Sequence, residues 1–294
     1  KAPSGATMLV DGGGHPPNKT GGFDVGENIL LPYLRYRGVK KIDVLVASHM
    51  HNDHTQGLEA VIRRLPVGAI LDNGLFDGGY ASIQYARALR DIDTETRGLR
   101  HVLRRGHYFH LDPKVTITVL YPTGDDATTY SGEVLDQNNY SIVLKLEGLG
   151  YTVLFTGDLD DEGQWDLLSL TNNEEVSPGF SLNSHLLKVP HHGSRQALVY
   201  PFLGEVNPKD TVISVGRNSF GHPVPEYLHA LEVVSATTPW RTDLHGAVTV
   251  KIRGGGKVKI QGYNSPTLWQ LGRYAGVVKW EAGLRRVLHF RPGA

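Results

Sequence analysis

The segment Ser48-His49-Met50-His51-Asn52-Asp53-His54 packs three imidazoles and a carboxylate into the order H-x-H-x-D-H. Crowding such groups is costly unless something binds them, and the usual occupant is a pair of divalent metals. The run Ile42-Asp43-Val44-Leu45-Val46-Ala47 directly before it reads as a short, β-branched, buried strand. Residues two apart in extended chain share a side, so His49 and His51 can reach one metal together. A turn is expected next, holding Asp53 and His54 towards a second metal. A helix over Thr55 to Arg64 follows. The plainer alternative, a histidine-rich surface loop with capping Asp and Thr, is disfavoured by this order behind a strand.

Four further places could complete a metal constellation. Val153-Leu154-Phe155-Thr156-Gly157-Asp158 is an apolar strand ending in a carboxylate, which can bridge two metals. Lys188-Val189-Pro190-His191-His192-Gly193-Ser194 puts adjacent imidazoles just after another strand, so one can ligate while the other meets substrate. His222 stands in Gly216-Arg217-Asn218-Ser219-Phe220-Gly221-His222-Pro223, a loop after a strand at Thr211 to Val215. Gln137-Asn138-Asn139-Tyr140 precedes a strand, where amides are ordinarily turn formers.

The elements that must position these residues alternate along the chain. Strands are expected at residues 6–10, 69–71, 102–111, 114–121, 140–146, 151–156, 186–189 and 211–215. A glycine-tipped hairpin is expected at residues 247–261. Helices are expected at 27–37, 80–92, 161–170, 196–203 and 225–234. Such a mixture fits two sheets covered by helices. The chain has 294 residues, enough for one large domain or two small ones, and no cysteine. Formal net charge is zero, which argues neither for nor against a polyanionic partner. No run of about 18 apolar residues is present, so no membrane span is expected. Lys1-Ala2-Pro3-Ser4-Gly5 does not read as a signal peptide.

The order of these motifs resembles the metallo-β-lactamase superfamily, and within it the C-terminal lactamase-like domain of ComEC-type DNA-uptake competence proteins. The residues that carry the likeness are Thr7 to Gly14, Phe23 to Glu27, Leu31 to Leu34, the histidine motif, Asn138 to Ser141 and Phe155 to Asp158. Lys188 to Ser194, Asn218, Gly221-His222-Pro223, Arg241-Thr242-Asp243 and Gly246-Ala247-Val248 complete it. The resemblance implies an α/β (α+β) fold: an αββα sandwich of two mixed sheets flanked by helices, with the metal site at one edge. It implies a lactamase-like domain over residues 1–262 and a C-terminal extension over 263–294. The family's earlier strand pair is missing, so the chain is expected to begin inside that domain.

On this resemblance His49, His51 and Asp158 hold a first metal. Asp53, His54, Asp158 and one of His191 or His192, with His192 favoured, hold a second. Many relatives offer the first metal a further histidine where this chain has Asn138. An amide oxygen is a harder and weaker ligand, which moves the expected pair of ions towards manganese. Zinc is the next choice and magnesium a further option. Asp53 is also expected to orient the nucleophile. His222, the spare histidine (His191) and Lys188 are candidate proton donors or charge stabilisers, and Ser194, Asn218 and Asn138 candidate substrate contacts.

The function so implied is a metal-dependent DNA nuclease of competence that degrades the strand not taken up. It would sit on the extracytoplasmic face of the cell membrane, joined to the channel portion of the same polypeptide, with other competence proteins as partners. Clustered Arg97, Arg100, Arg104 and Arg105, and Arg285 with Arg286, offer a phosphate track. Two alternatives stay open. One is a small-molecule hydrolase of a lactone, thioester or lactam on the same fold. The other is a non-catalytic DNA-binding module with a degenerate site.

Overall fold

The computed structural model describes residues 1–15, 23–91, 100–123, 136–171 and 179–264. The residues of the expected C-terminal extension from 265 onward, with Arg285 and Arg286, lie outside the described residues, as does Arg97. Two sheets face each other. The smaller has the order β1 (Met8–Val10), β2 (Ile42–Val46), β3 (Val67–Asp72), β4 (Arg100–Val102), and every pair in it is parallel. The larger runs β11 (Trp240–Arg241), β10 (Asp210–Ile213), β9 (Leu186–Lys188), β8 (Tyr151–Phe155), β7 (Val143–Gly148), β6 (Val115–Tyr121), β5 (Tyr108–Asp112). It is parallel from β8 to β11 and antiparallel from β5 to β8. The smaller sheet is thus wholly parallel rather than mixed. A separate hairpin, β12 (Val248–Arg253) with β13 (Lys257–Gly262), lays Val250, Ile252 and Ile260 against Tyr151, Val153 and Leu186.

Alternation along each strand divides the core. In β2, Val44 and Val46 face the other sheet beside Ile117, Ile142 and Leu144. Leu45 and the following Ala47 face outward with Ile70, under α1 (Leu31–Tyr36), α2 (Asn52–Arg64) and α3 (Tyr80–Asp91). In the larger sheet Leu154, Leu187 and Ile213 face α4 (Asp161–Thr171), α5 (Tyr200–Val206) and α6 (Pro225–Ser235). Period-two burial on both sheets gives the αββα layering.

Four local expectations change. The chain between residues 102 and 111 is not one strand. It turns at Gly106, whose φ of 90° is open to glycine, and crosses from β4 in one sheet to β5 in the other. The helix expected from Gln196 starts at Tyr200, because Pro201 lacks an N–H and is suited to a first turn. The helix expected at 27–37 opens with a π-helical stretch, Gly26–Leu30, before α1. And α2 begins at Asn52, with His51 as its N-cap, so Asp53 and His54 lie in its first turn rather than in a loop before it.

The glycines after β1 set that helix in place. Gly12 N donates to His54 O at 2.7 Å and Gly57 N donates to Gly13 O at 2.9 Å, so loop and helix touch backbone to backbone. A Cβ on Gly57 would collide with the Gly12 carbonyl, and one on Gly12 with the amide of Leu58. Helix propensity alone favours alanine over glycine by roughly 1 kcal/mol. The collision outweighs it, so Gly57→Ala is expected to lower stability by roughly 1–3 kcal/mol. A shift of the urea midpoint to lower concentration at unchanged m-value checks the sign.

Candidate metal centre

Most loops that carry a polar residue of the site leave the carboxyl end of a parallel strand. Asp11 follows β1, Ser48 to His51 follow β2, Asp158 follows β8, His191 and His192 follow β9, and Ser214 follows β10. Parallel neighbours put those ends on one edge. There Asp53, His54, Asp158 and His192 bring their ligand atoms within 4.8 Å of one another. His192 Nε2 is 3.2 Å from Asp158 Oδ2 and 3.5 Å from Asp53 Oδ2, while His54 Nε2 is 3.1 Å from Asp158 Oδ2.

Each imidazole is aimed by a hydrogen bond from its other nitrogen. His54 Nδ1 donates to Asp11 Oδ2 at 2.8 Å, and Asp11 also accepts from Ser48 N and Ser48 Oγ, both at 2.8 Å. His192 Nδ1 donates to the Ser214 carbonyl at 2.5 Å. Carboxylates and carbonyls only accept, so Nδ1 carries the hydrogen in both rings and Nε2 faces the cluster. The backbone is bent to achieve this: Asp11, His191 and His192 have φ of 57°, 42° and 53°. Non-glycine residues in that region cost energy and gather at functional sites.

The electrostatics follow from burial. Asp158 is 2 % exposed. Burial alone would raise its pKa, but His192, His54 and Lys188 hold it well below the usual carboxylate range. Asp53 is likewise pulled down, burial being overcome by the bond from His192 and the charge of His54. Burial lowers both histidines, yet Asp158 and Asp11 push His54 well above its ordinary value, and Asp158 with Asp53 pushes His192 up to about 9. Burial and the neighbouring His54 keep the His49 ring well below its ordinary value.

The remaining sequence-predicted residues divide. His49 Nε2 and His51 Nδ1 lie 3.0 Å apart, and the His49 ring centroid is 4.2 Å from that of His54, so both stand beside the four-residue cluster. His192 belongs to the cluster, whereas His191 Nδ1 donates to Asp160 Oδ1 at 2.7 Å and its Nε2 is 4.0 Å from Asp158 Oδ2. Lys188 Nζ donates to the Gly157 carbonyl at 2.5 Å and lies 3.3 Å from Asp158 Oδ1, which makes it a resident countercharge. The His222 ring stands 5.6 Å from that of His191, and burial with the neighbouring histidines lowers its pKa.

Two expected substrate contacts are used by their own loops. Asn218 Nδ2 donates to the carbonyls of Gly216 and His222, and its Oδ1 accepts from His222 N. Ser194 is buried and its Oγ accepts from Gln196 N. The arginine track also changes. Arg100 makes a bidentate pair with buried Asp72, and Arg104 donates to the carbonyls of Asn73 and Leu103.

Sequence reasoning assigned no role to Asp11 or Asp160. The signal for Asp11 was present, since it is a carboxylate at a strand's carboxyl end, as Asp158 is. Asp160 follows Asp158 by two residues but faces Asn138 and His191, which only the fold brings near.

The donor set fits a divalent cation. It mixes imidazole nitrogen with carboxylate oxygen. Asn138 Oδ1 is buried without a hydrogen-bond partner, and His54 Nε2 approaches Asp158 without the alignment of a hydrogen bond. Such a site at the edge of an αββα sandwich points to a metal-dependent hydrolase. The chain belongs to the metallo-beta-lactamase superfamily, whose family model matches residues 2–217. It is similar to ComE operon protein 3 of Bacillus subtilis (strain 168), with 27% identity over 232 residues, 79% of this chain and 27% of that protein. Competence protein ComA of Neisseria gonorrhoeae is 28% identical over 248 residues, 82% of this chain and 30% of that protein. Recombination protein 2 of Haemophilus influenzae is 26% identical over 232 residues, 76% of this chain and 25% of that protein. The chain therefore spans only about a quarter to a third of the length of these relatives. Among the described residues no helix is long and apolar enough to cross a membrane.

The carboxylates beside them push His54 and His192 up, so both rings hold a proton more tightly than a free imidazole does. A cation must displace those protons, so its apparent affinity is expected to rise with pH up to about 9 and to weaken below neutrality. Calorimetric titration of metal in buffers of different ionisation enthalpy should show net proton release at pH 7. Removing the Asp11 carboxylate while keeping its shape, Asp11→Asn, should weaken metal binding by roughly 10–100-fold. Competition with a chromophoric chelator measures it.

Proposed function

We propose that this chain is the nuclease domain of a competence protein, a metal-dependent phosphodiesterase that degrades the DNA strand not taken into the cell. The observation that carries the reading is the convergence of Asp53, His54, Asp158 and His192, with His49 and His51 at their side. The competence proteins among its relatives supply the biological setting. In this reading two divalent ions are held, manganese in preference to zinc, with magnesium as a further option. His49, His51 and Asp158 would hold one ion, and Asp53, His54, Asp158 and His192 the other. Such a pair supplies Lewis acidity and lowers the pKa of water to near 7.

The chain's own residues do the rest. Asp53 sits in the first turn of α2, where the positive end of the helix favours its carboxylate, and orients the attacking water. Lys188 balances the charge of Asp158 and keeps that carboxylate aimed. His191 and His222 form a second row of imidazoles beside the cluster, placed to exchange a proton with the leaving oxygen. The domain would work at the outer face of the cell membrane, attached to the channel portion of the full-length protein and alongside other competence proteins.

Asp53→Ala and His51→Ala are each expected to abolish hydrolysis of end-labelled single- and double-stranded DNA while leaving the circular dichroism spectrum unchanged. Assays with Mn²⁺, Zn²⁺ and Mg²⁺ separate the readings. Cleavage that is lost in both variants supports the nuclease. DNA retention without cleavage in any metal would instead make the chain a binding module. Turnover of a lactone or thioester in place of DNA would make it a small-molecule hydrolase.

A further inference from the structure

Asp160 is 2 % exposed and spends both carboxylate oxygens on side chains from distant loops. Oδ2 accepts from Asn138 Nδ2 at 3.0 Å and Oδ1 accepts from His191 Nδ1 at 2.7 Å. A carboxylate offers no hydrogen, so the Asn138 atom that faces it must be the nitrogen. Turning the amide over would set oxygen against oxygen at that distance. Asn138 Oδ1 is thereby fixed on the other side, buried and without a partner. A buried acceptor in that state is costly unless something arrives to meet it.

The turn that carries Asn138 is held on several sides. Asn138 N donates to Asp136 Oδ1, Asn139 Oδ1 accepts from Gly163 N, and Asn73 Nδ2 donates to the Tyr140 carbonyl. Its exit is tied to the cluster itself. Ile142 N donates to the Ser48 carbonyl, and Ser141 Oγ accepts from Asp158 N. Asp160 also fixes His191, so Nε2 of that ring is the nitrogen left over, 4.0 Å from Asp158 Oδ2.

We propose that Asp160 is a positioning residue, which locks the Asn138 amide so that its carbonyl oxygen is a fixed ligand for a divalent cation at the cluster. The inference rests on the cation-binding part of the functional reading and not on DNA as substrate. Hard oxygen donors suit Mn²⁺ and Mg²⁺, and a donor held in place loses little freedom when it binds.

The test is Mn²⁺ binding to the metal-free, otherwise intact chain, measured by calorimetry. Asp160→Asn lets the amide of residue 138 turn over and is expected to weaken one equivalent of Mn²⁺ by roughly 10–100-fold. Asn138→Ala should give the same loss. The exchange Asn138→Asp with Asp160→Asn swaps donor and acceptor across the contact and should restore affinity. Thermal melting of each metal-free variant separates a folding defect from a ligand defect, and Asn138→Ala decides alone if Asp160→Asn does not fold. Wild-type Mn²⁺ affinity in either folded single variant overturns the proposal, as does a paired exchange that folds without recovering affinity. Mn²⁺ binding that follows the expected pattern without any DNA cleavage supports the role of Asp160 and removes the nuclease.

Discussion

The structure turns on one buried carboxylate. Asp158 is nearly inaccessible to water, and a charge in that position is tolerable only if other charges surround it. His54, His192 and Lys188 do so at 3.1, 3.2 and 3.3 Å. With Asp11 behind His54 and Asp53 beside His192, three acidic groups face three basic ones. The carboxylates thus favour protons on both histidines, which would complete the balance. Such protons occupy the directions in which Nε2 lone pairs would otherwise meet a cation. Filling the cluster with a cation would therefore exchange protons for metal charge around the same carboxylate.

That balance depends on topology more than on any single loop. The carboxyl ends of β1 and β2 in one sheet, and of β8, β9 and β10 in the other, lie on one edge because those neighbours are parallel. The antiparallel strands β5 to β7 widen the larger sheet, and β7 delivers one site turn, Gln137–Tyr140, at its amino end. The glycine contact between the loop after β1 and α2 then fixes the depth at which Asp11 reaches His54. A small displacement there would be felt at Asp158 through a single imidazole.

Much of this was legible in the sequence, and the limits have physical reasons. The histidine motif, the carboxylate ending a strand and the paired histidines are local, strand-terminal patterns, and the fold assembles them on one edge. Which of His191 and His192 enters the cluster was not settled by residue type. It is decided by the left-handed backbone at both residues and by the Ser214 carbonyl, which belongs to a later strand. Asp160 was invisible because its partners come from residues 22 and 31 positions away. The break between β4 and β5 was missed because both halves have strand-like composition, and only Gly106 marks the passage between sheets. The short elements β11 and α7 (Thr242–His245) are too brief to show any period.

Arg100 and Arg104 show what composition leaves open. A run of basic residues near a candidate site invites a phosphate track, but position in the fold decides what charge is available. The Arg100 guanidinium is consumed by Asp72, a carboxylate with no exposure of its own, and Arg104 is turned onto carbonyls. With formal net charge zero, any pull on a polyanion depends on how the charges are distributed and not on their sum. For the phosphodiester of the proposed function, the cluster would itself offer positive charge, since His54, His192 and Lys188 stand around Asp158. On that proposal the cation, its imidazoles and Lys188 would serve both binding and chemistry, so recognition of substrate and loading of metal would fall to the same few side chains.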